Sequence, residues 1–205
     1  MTKADAPSRG DGGSSPRLSE AAVVKAAREL ISEVGVDGCT MRELSMRLGV
    51  ALGATYHHVP NKDRLLALVG RDVYQEIADG IPADGDWRAR LRAVIVRTVE
   101  LFSLYPGLAA HVMTHGSDVQ PEGPNQVIYG VLRDAGFTDA DAGELMGSLF
   151  LYVSGMCISE QSLSGTLPSS TSELLGSQIL RDGLRPVFEA GLDMLLDGAQ
   201  QRLAV

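Results

Sequence analysis

The sequence predicts an all-α protein built as an N-terminal three-helix helix-turn-helix head followed by a larger helical body. Three observations carry that expectation. Apolar residues recur at helical spacing through most of the chain beyond residue 17, helix caps and Gly or Pro stops punctuate them, and no segment sustains period-two alternation between turn signals. The expected divisions are a disordered leader at 1–17, a head at 18–77 and a larger helical body at 78–205.

Residues 1–17 are Gly, Ser, Pro and charge, a composition with too little apolar surface to order itself. Ser19 is placed to cap the first helix, which carries Val23, Ala27, Leu30, Ile31 and Val34 at helical spacing and stops at Gly35. Thr40-Met41-Arg42-Glu43 has capping-box spacing, so the hydroxyl reaches the third residue's N–H and Glu43 reaches back to the Thr40 amide. Met41, Leu44 and Leu48 line one face of this short helix, and Gly49 ends it. A second short segment runs from Leu52 to His58 and closes at Pro60. Asn61 caps the next helix, with Leu65, Leu66, Val69, Val73 and Ile77 on its apolar face.

The body begins after Pro82-Ala83-Asp84-Gly85. Trp87 to Tyr105 reads as a long helix ending before Pro106-Gly107, and Leu108 to His115 as a short one. A polar loop covers Gly116 to Pro124. Asn125 to Ala135 is a helix stopped by Gly136, and Thr138 caps another whose Asp139, Asp141 and Glu144 suit a positive N-terminal dipole. Leu163 to Thr171 reads as a linker, followed by helical text from Ser172 to about Gln201 with a break near Gly183 to Pro186.

Composition narrows the class. With 205 residues, 44% apolar and 21% charged, the chain is long enough and apolar enough to bury a core. No uninterrupted apolar run approaches the ~20 residues that span a bilayer. The N-terminal segment lacks a signal peptide's apolar centre. Cys39 and Cys157 offer neither a disulfide framework nor a Cys-x-x-Cys pair. A cytoplasmic protein with no membrane partner is expected. Charge is uneven: residues 1–75 hold ten Lys/Arg against nine Asp/Glu, whereas 76–205 hold eight Arg against seventeen acids. A slightly basic head on an acidic body permits the head to touch an anionic polymer.

Two short helices joined by a tight turn form a helix-turn-helix pattern, whose second helix enters the major groove in DNA-binding proteins. Here the pair is Thr40–Leu48 and Leu52–His58. Arg42, Arg47, Tyr56, His57, His58 and Lys62 are side chains suited to phosphate or base edges. Small helical bundles contain such pairs without binding DNA, so spacing alone leaves both readings open.

The text Val34-Gly35-Val36-Asp37-Gly38, Thr40-Met41-Arg42-Glu43-Leu44, Leu48-Gly49-Val50, Tyr56-His57-His58-Val59, Asn61-Lys62 and Leu65-Leu66 resembles the N-terminal domain of the TetR family of bacterial transcription regulators. The resemblance implies phosphate contacts from Thr40, Tyr56 and Lys62. It implies base contacts from Arg42 and from Leu52, Gly53 and Ala54 at the start of the recognition helix. Leu52-Gly53-Ala54 is poor in hydrogen-bonding groups, so reading there would lean on thymine methyls or DNA shape. Thr55 stands where the family usually has Leu or Ile and is expected in the head's core.

The body more loosely resembles the tetracycline-repressor branch through Trp87-Arg88, Gly107 to Thr114, Gly136-Phe137-Thr138, Gly155 and Glu160-Gln161. That resemblance implies a small-molecule inducer, with His111 and Thr114 in its pocket, and a homodimer formed by the last helices. Ser159 replaces a Glu of that branch's metal sphere, which argues against a metal–tetracycline complex as inducer. Phe102, Met113, Tyr129 and Phe150 are the expected apolar pocket lining. Leu145, Leu149, Val153, Leu192, Leu195 and Leu196 are expected under the partner subunit. His111 and His115 have i, i+4 spacing but no Cys, Asp or Glu beside them in sequence, so neither a metal site nor a cofactor is expected.

The expected function is a repressor released from a near-palindromic double-stranded DNA operator by an inducer. A small-molecule-responsive activator is the alternative, because the sign of regulation depends on operator position. A helical enzyme would need an acid–base or nucleophile–base pair, and no recognised motif supplies one, so no catalytic residue is expected.

Overall fold

A computed structural model describes residues 18–115, 124–163 and 183–203. The leader, most of the 116–124 loop, the linker after Leu163 and residues 172–182 of the last helical text lie outside the described residues. Among the described residues there are nine helices and no strand.

The head is α1 (Glu20–Gly38), α2 (Met41–Leu48) and α3 (Leu52–His58), with the start of α4 (Lys62–Asp79). Ser19 caps α1 by accepting from the Ala22 amide at 3.2 Å. Gly35 interrupts α1 with φ 71°, and one further turn reaches Gly38. That interruption docks the head on the body. The freed Val36 N–H donates to the Pro106 carbonyl at 2.8 Å, and a Cβ at Gly107, where φ is 89°, would lie 3.0 Å from the Val36 Cβ. Thr40 caps α2 by accepting from the Glu43 amide at 3.1 Å. Only this half of the expected box forms, because among the described residues no bond joins the Thr40 amide to Glu43. Gly49 closes α2 in the left-handed region, φ 66°. Its N–H donates to Met46 and that of Val50 to Ser45, the paired bonds of a Schellman end.

The chain then turns into α3, which has no side-chain cap and one buried residue, Thr55. Asn61 caps α4 by accepting from the Arg64 amide at 2.7 Å. This helix runs unbroken from head to body, packing on α1, α5, α6 and α7.

The body comprises α5 (Trp87–Ser103), α6 (Leu108–His115), α7 (Pro124–Asp134), α8 (Asp139–Leu163) and α9 (Arg185–Leu203). Asp86 caps α5, accepting from Ala89 at 2.7 Å, and Thr138 caps α8, accepting from Asp141 at 3.1 Å. Helices α5 and α6 meet at 110° across Leu104 to Gly107. One apolar core runs continuously from Val23 in α1 to Ala199 in α9.

One expectation needs correction. Leu145, Leu149, Val153, Leu192 and Leu196 are buried inside a single chain, and Leu195 is partly buried. They face the chain's own core and leave no surface there for a partner. The exposed apolar residues of α8 and α9 are Phe150, Leu151, Ile158, Val187 and Met194. A helix turns about 100° per residue, so one helix presents both faces and a sequence stripe does not say which one is covered. For the same reason α8 is apolar overall. An 18-residue window within residues 139–160 has a mean hydropathy of 1.3 and is long and apolar enough to cross a bilayer by length and composition, although acidic residues keep 139–160 from being an uninterrupted apolar run. Its apolar residues divide between the chain's own core and the exposed second face.

Candidate functional site

Helices α2 and α3 present one outward face. Arg42 lies on the exposed side of α2, opposite the buried Met41, Leu44 and Ser45. Among the described residues nothing forms an ion pair with it, so its guanidinium is available to a base edge or phosphate. Arg47 is not equivalent, because it pairs with Glu33 of α1. On α3, Leu52 and Tyr56 are exposed at 42% and 44%. Gly53, His57 and His58 are also exposed, and Ala54 is half-buried. Thr40 is exposed. Its oxygen accepts the α2 cap bond, which leaves its O–H free to donate to a phosphate.

Lys62 opens α4 and is half-buried. Its positive charge is felt at two groups, the Cys39 thiol of the head and the His111 imidazole of α6. A residue assigned to DNA by its position thus also lies at the junction of head and body.

The candidate inducer residues are only partly brought together. Phe102 is buried, with its ring edge-on to Tyr74 at 5.4 Å. His111 and Met113 are half-buried on α6, and Thr114 is exposed with its hydroxyl donating to the Ala110 carbonyl at 2.8 Å. His111 stacks on His115 with ring centroids 4.2 Å apart. Burial and the neighbouring His115 hold the His111 imidazole below its ordinary pKa. Tyr129 instead directs its hydroxyl to Asp139 at 2.7 Å. Phe150 is 56% exposed on the outer face of α8 and so does not share an interior with Phe102 in a single chain. Its neighbour Leu149 is the residue that turns inward.

Donors for a metal are not gathered either. Among the described residues no three His, Cys, Asp or Glu side chains converge. Ser159 supplies no carboxylate, so the described residues do not fit a metal sphere.

Three contacts that sequence reasoning missed join the elements. Arg28 of α1 donates to Asp72 and Glu76 of α4, each at 2.6 Å, and to the Tyr105 hydroxyl beside the α5–α6 bend. A Cβ at Gly70 of α4 would lie 2.7 Å from Val112 Cγ2 of α6, so these helices approach backbone to side chain. Ser45 of α2 and Thr55 of α3, both buried, share a hydrogen bond of 2.7 Å. A polar residue at a core position of each short helix was the available signal for that last pair.

Comparison with known proteins bears on this arrangement. The family model for bacterial regulatory proteins of the tetR family matches residues 23–69, and that for the tetracyclin repressor-like C-terminal domain matches residues 80–181. The class A tetracycline repressor protein from transposon 1721 of Escherichia coli is 33% identical, over 92% of this chain and 94% of its own length. The chain belongs to the TetR family. It is a transcription regulator with a helix-turn-helix DNA-binding domain. The crystal structure of TetR from Acinetobacter baumannii AYE superposes with a TM-score of 0.75 at 27% identity, covering 90% of this chain and 97% of that one. A variant of that TetR in complex with minocycline gives a TM-score of 0.69 at 28% identity, over 90% of this TetR-family chain and 97% of the other.

Proposed function

We propose that this regulator is a homodimeric repressor that leaves a near-palindromic operator when a small molecule binds its body. The observation that carries the reading is the unpaired, exposed Arg42 beside the exposed outer face of α3, a surface with charge and reach for DNA and no partner within the described residues. In the proposed interface Thr40, Tyr56 and Lys62 hold phosphates. Arg42 reads a base edge, while Leu52, Gly53 and Ala54 offer apolar contact, and His57 lies at the margin. The head is taken as residues 18–77 and the body as 78–205.

The second copy is placed on the outer face of α8 and α9, where Leu151, Ile158, Val187 and Met194 are exposed. Gly143, Gly147 and Gly155 leave open space along α8 for a close helix approach. Two recognition helices would then lie about one turn of DNA apart, ~34–36 Å.

The inducer is taken to contact His111, Met113 and Thr114 of α6 against Phe102. A relative binds minocycline, so a polycyclic compound with a polar edge is the favoured class, recognised without a metal held by the chain. Release requires the ligand to prefer the state that does not fit the operator. The Val112–Gly70 contact would pass a shift of α6 to α4 and thence to the head.

The test is a mobility shift with DNA flanking the protein's own gene, titrated with minocycline and with a compound collection. His111→Ala should leave operator affinity nearly unchanged and move the release curve to higher ligand concentration. An unchanged release curve in the folded variant would give His111 a structural role alone.

A further inference from the structure

We propose that Ser45 and Thr55 are positioning residues for DNA reading, a buried hydroxyl pair that sets how α3 is rolled on α2. The proposal rests on α3 being the helix that enters the groove. Among the described residues these are the two buried polar side chains, 3% and 0% exposed, and they are bonded to each other across the helix-turn-helix.

Proton bookkeeping gives the pair a direction. The Ser45 hydroxyl lies 2.7 Å from the Met41 carbonyl, which can only accept, so the single Ser45 proton goes there. The 2.7 Å bond to Thr55 must then be donated by the Thr55 hydroxyl to Ser45 Oγ. The result is a chain from α3 to a backbone carbonyl in the first turn of α2, with every proton placed.

Stability does not explain such a pair. Two apolar groups of the same shape would avoid desolvating two hydroxyls, and such exchanges are often neutral or stabilising. What a hydroxyl pair adds over an apolar contact is direction, because hydrogen bonds weaken steeply with angle whereas apolar contacts have no preferred orientation. Helix α3 needs that direction. It has seven residues, no side-chain cap and no other buried side chain. A roll of α3 about its axis would exchange which of Leu52, Gly53 and Tyr56 meets the groove.

The test selects binding sites from a random-sequence DNA duplex library with the full-length protein. Each variant is then titrated with the selected duplex and a scrambled one. Thr55→Val keeps the shape and removes the hydroxyl, and Ser45→Ala removes its acceptor. Each should lose roughly tenfold or more of the discrimination between the two duplexes, within the range of one mismatched base pair, while circular dichroism shows a folded chain. The double variant should lose no more than the worse single one, because either substitution already breaks the bond. Thr55→Ser, which restores the hydroxyl without the methyl, should keep most of the discrimination.

Folded Thr55→Val or Ser45→Ala protein that discriminates like the parent overturns the proposal, as does loss in Thr55→Ser equal to that in Thr55→Val. Leu52→Ala, at the exposed α3 position assigned to base contact, separates the two levels of the argument. If it alters the selected sequence and Thr55→Val does not, the hydroxyl pair is only structural. If neither alters it, the placement of α3 in the groove fails, and this proposal with it.

Discussion

A methyl group added at Gly53 would meet nothing within 4 Å, and the residue sits in a helix. Packing therefore gives no reason for glycine there, and helix propensity argues against it. Gly53→Ala should stabilise the free protein by about 0.5–1 kcal/mol, because alanine loses less chain entropy. The same methyl would stand between α3 and the base edges, so DNA affinity should fall while the melting temperature rises. Thermal melts paired with titration of one operator duplex check both signs. Lys62→Ala should weaken binding to all sequences alike and lower the salt slope by roughly one. Arg42→Ala should cost about 1–3 kcal/mol and relax preference at one base pair per half-site. His111 makes a different prediction. Its burial and the nearby His115, opposed by Asp63 and joined by Lys62, keep it less ready to bind a proton than in the unfolded chain. Its contribution to stability is therefore present above the ordinary histidine pKa of about 6.5 and lost as pH falls through the lowered native value. Melts from neutral to mildly acidic pH should show a decline that His111→Gln flattens.

Helix boundaries were legible because their signals are local. Ser19, Thr40, Asn61 and Thr138 cap as their spacing implies, and Gly49 ends α2 in the left-handed region. Thr55 does lie in the head's core. The side of a helix that faces a partner was not legible, because Leu149 and Phe150 are adjacent, equally apolar and on different faces. Contacts between elements far apart in sequence, such as Arg28 with Tyr105 or Gly70 with Val112, have no local signature either. The two faces of α8 and α9 give an element-scale prediction. Leu151→Asp and Met194→Asp should give folded monomers, since each places its charge on the exposed face. Leu192→Asp should unfold the chain, since it buries an unpaired charge in the protomer's own core. Light scattering and circular dichroism on the three variants distinguish these outcomes. Gly70→Ala should also disturb DNA binding by pressing on Val112, and Val112→Ala in the same chain should relieve it, as a double-mutant cycle would show.

At the scale of the whole molecule, charge and shape agree. Residues 76–205 carry a net charge of −9, which repels DNA, and residues 1–75 a net of +1. Only the head can approach an anionic polymer without that penalty. In the proposed dimer the body would hold two heads at a fixed spacing, and the inducer would change it. Hydroxyl-radical footprinting on a duplex selected by the full-length protein tests this arrangement most directly. The account predicts a two-fold symmetric pattern whose two protected half-sites have centres about one helical turn apart, 10–10.5 base pairs. Arg42→Ala should weaken both half-sites equally. A single asymmetric protected patch, or symmetric protection untouched by Arg42→Ala, would contradict it.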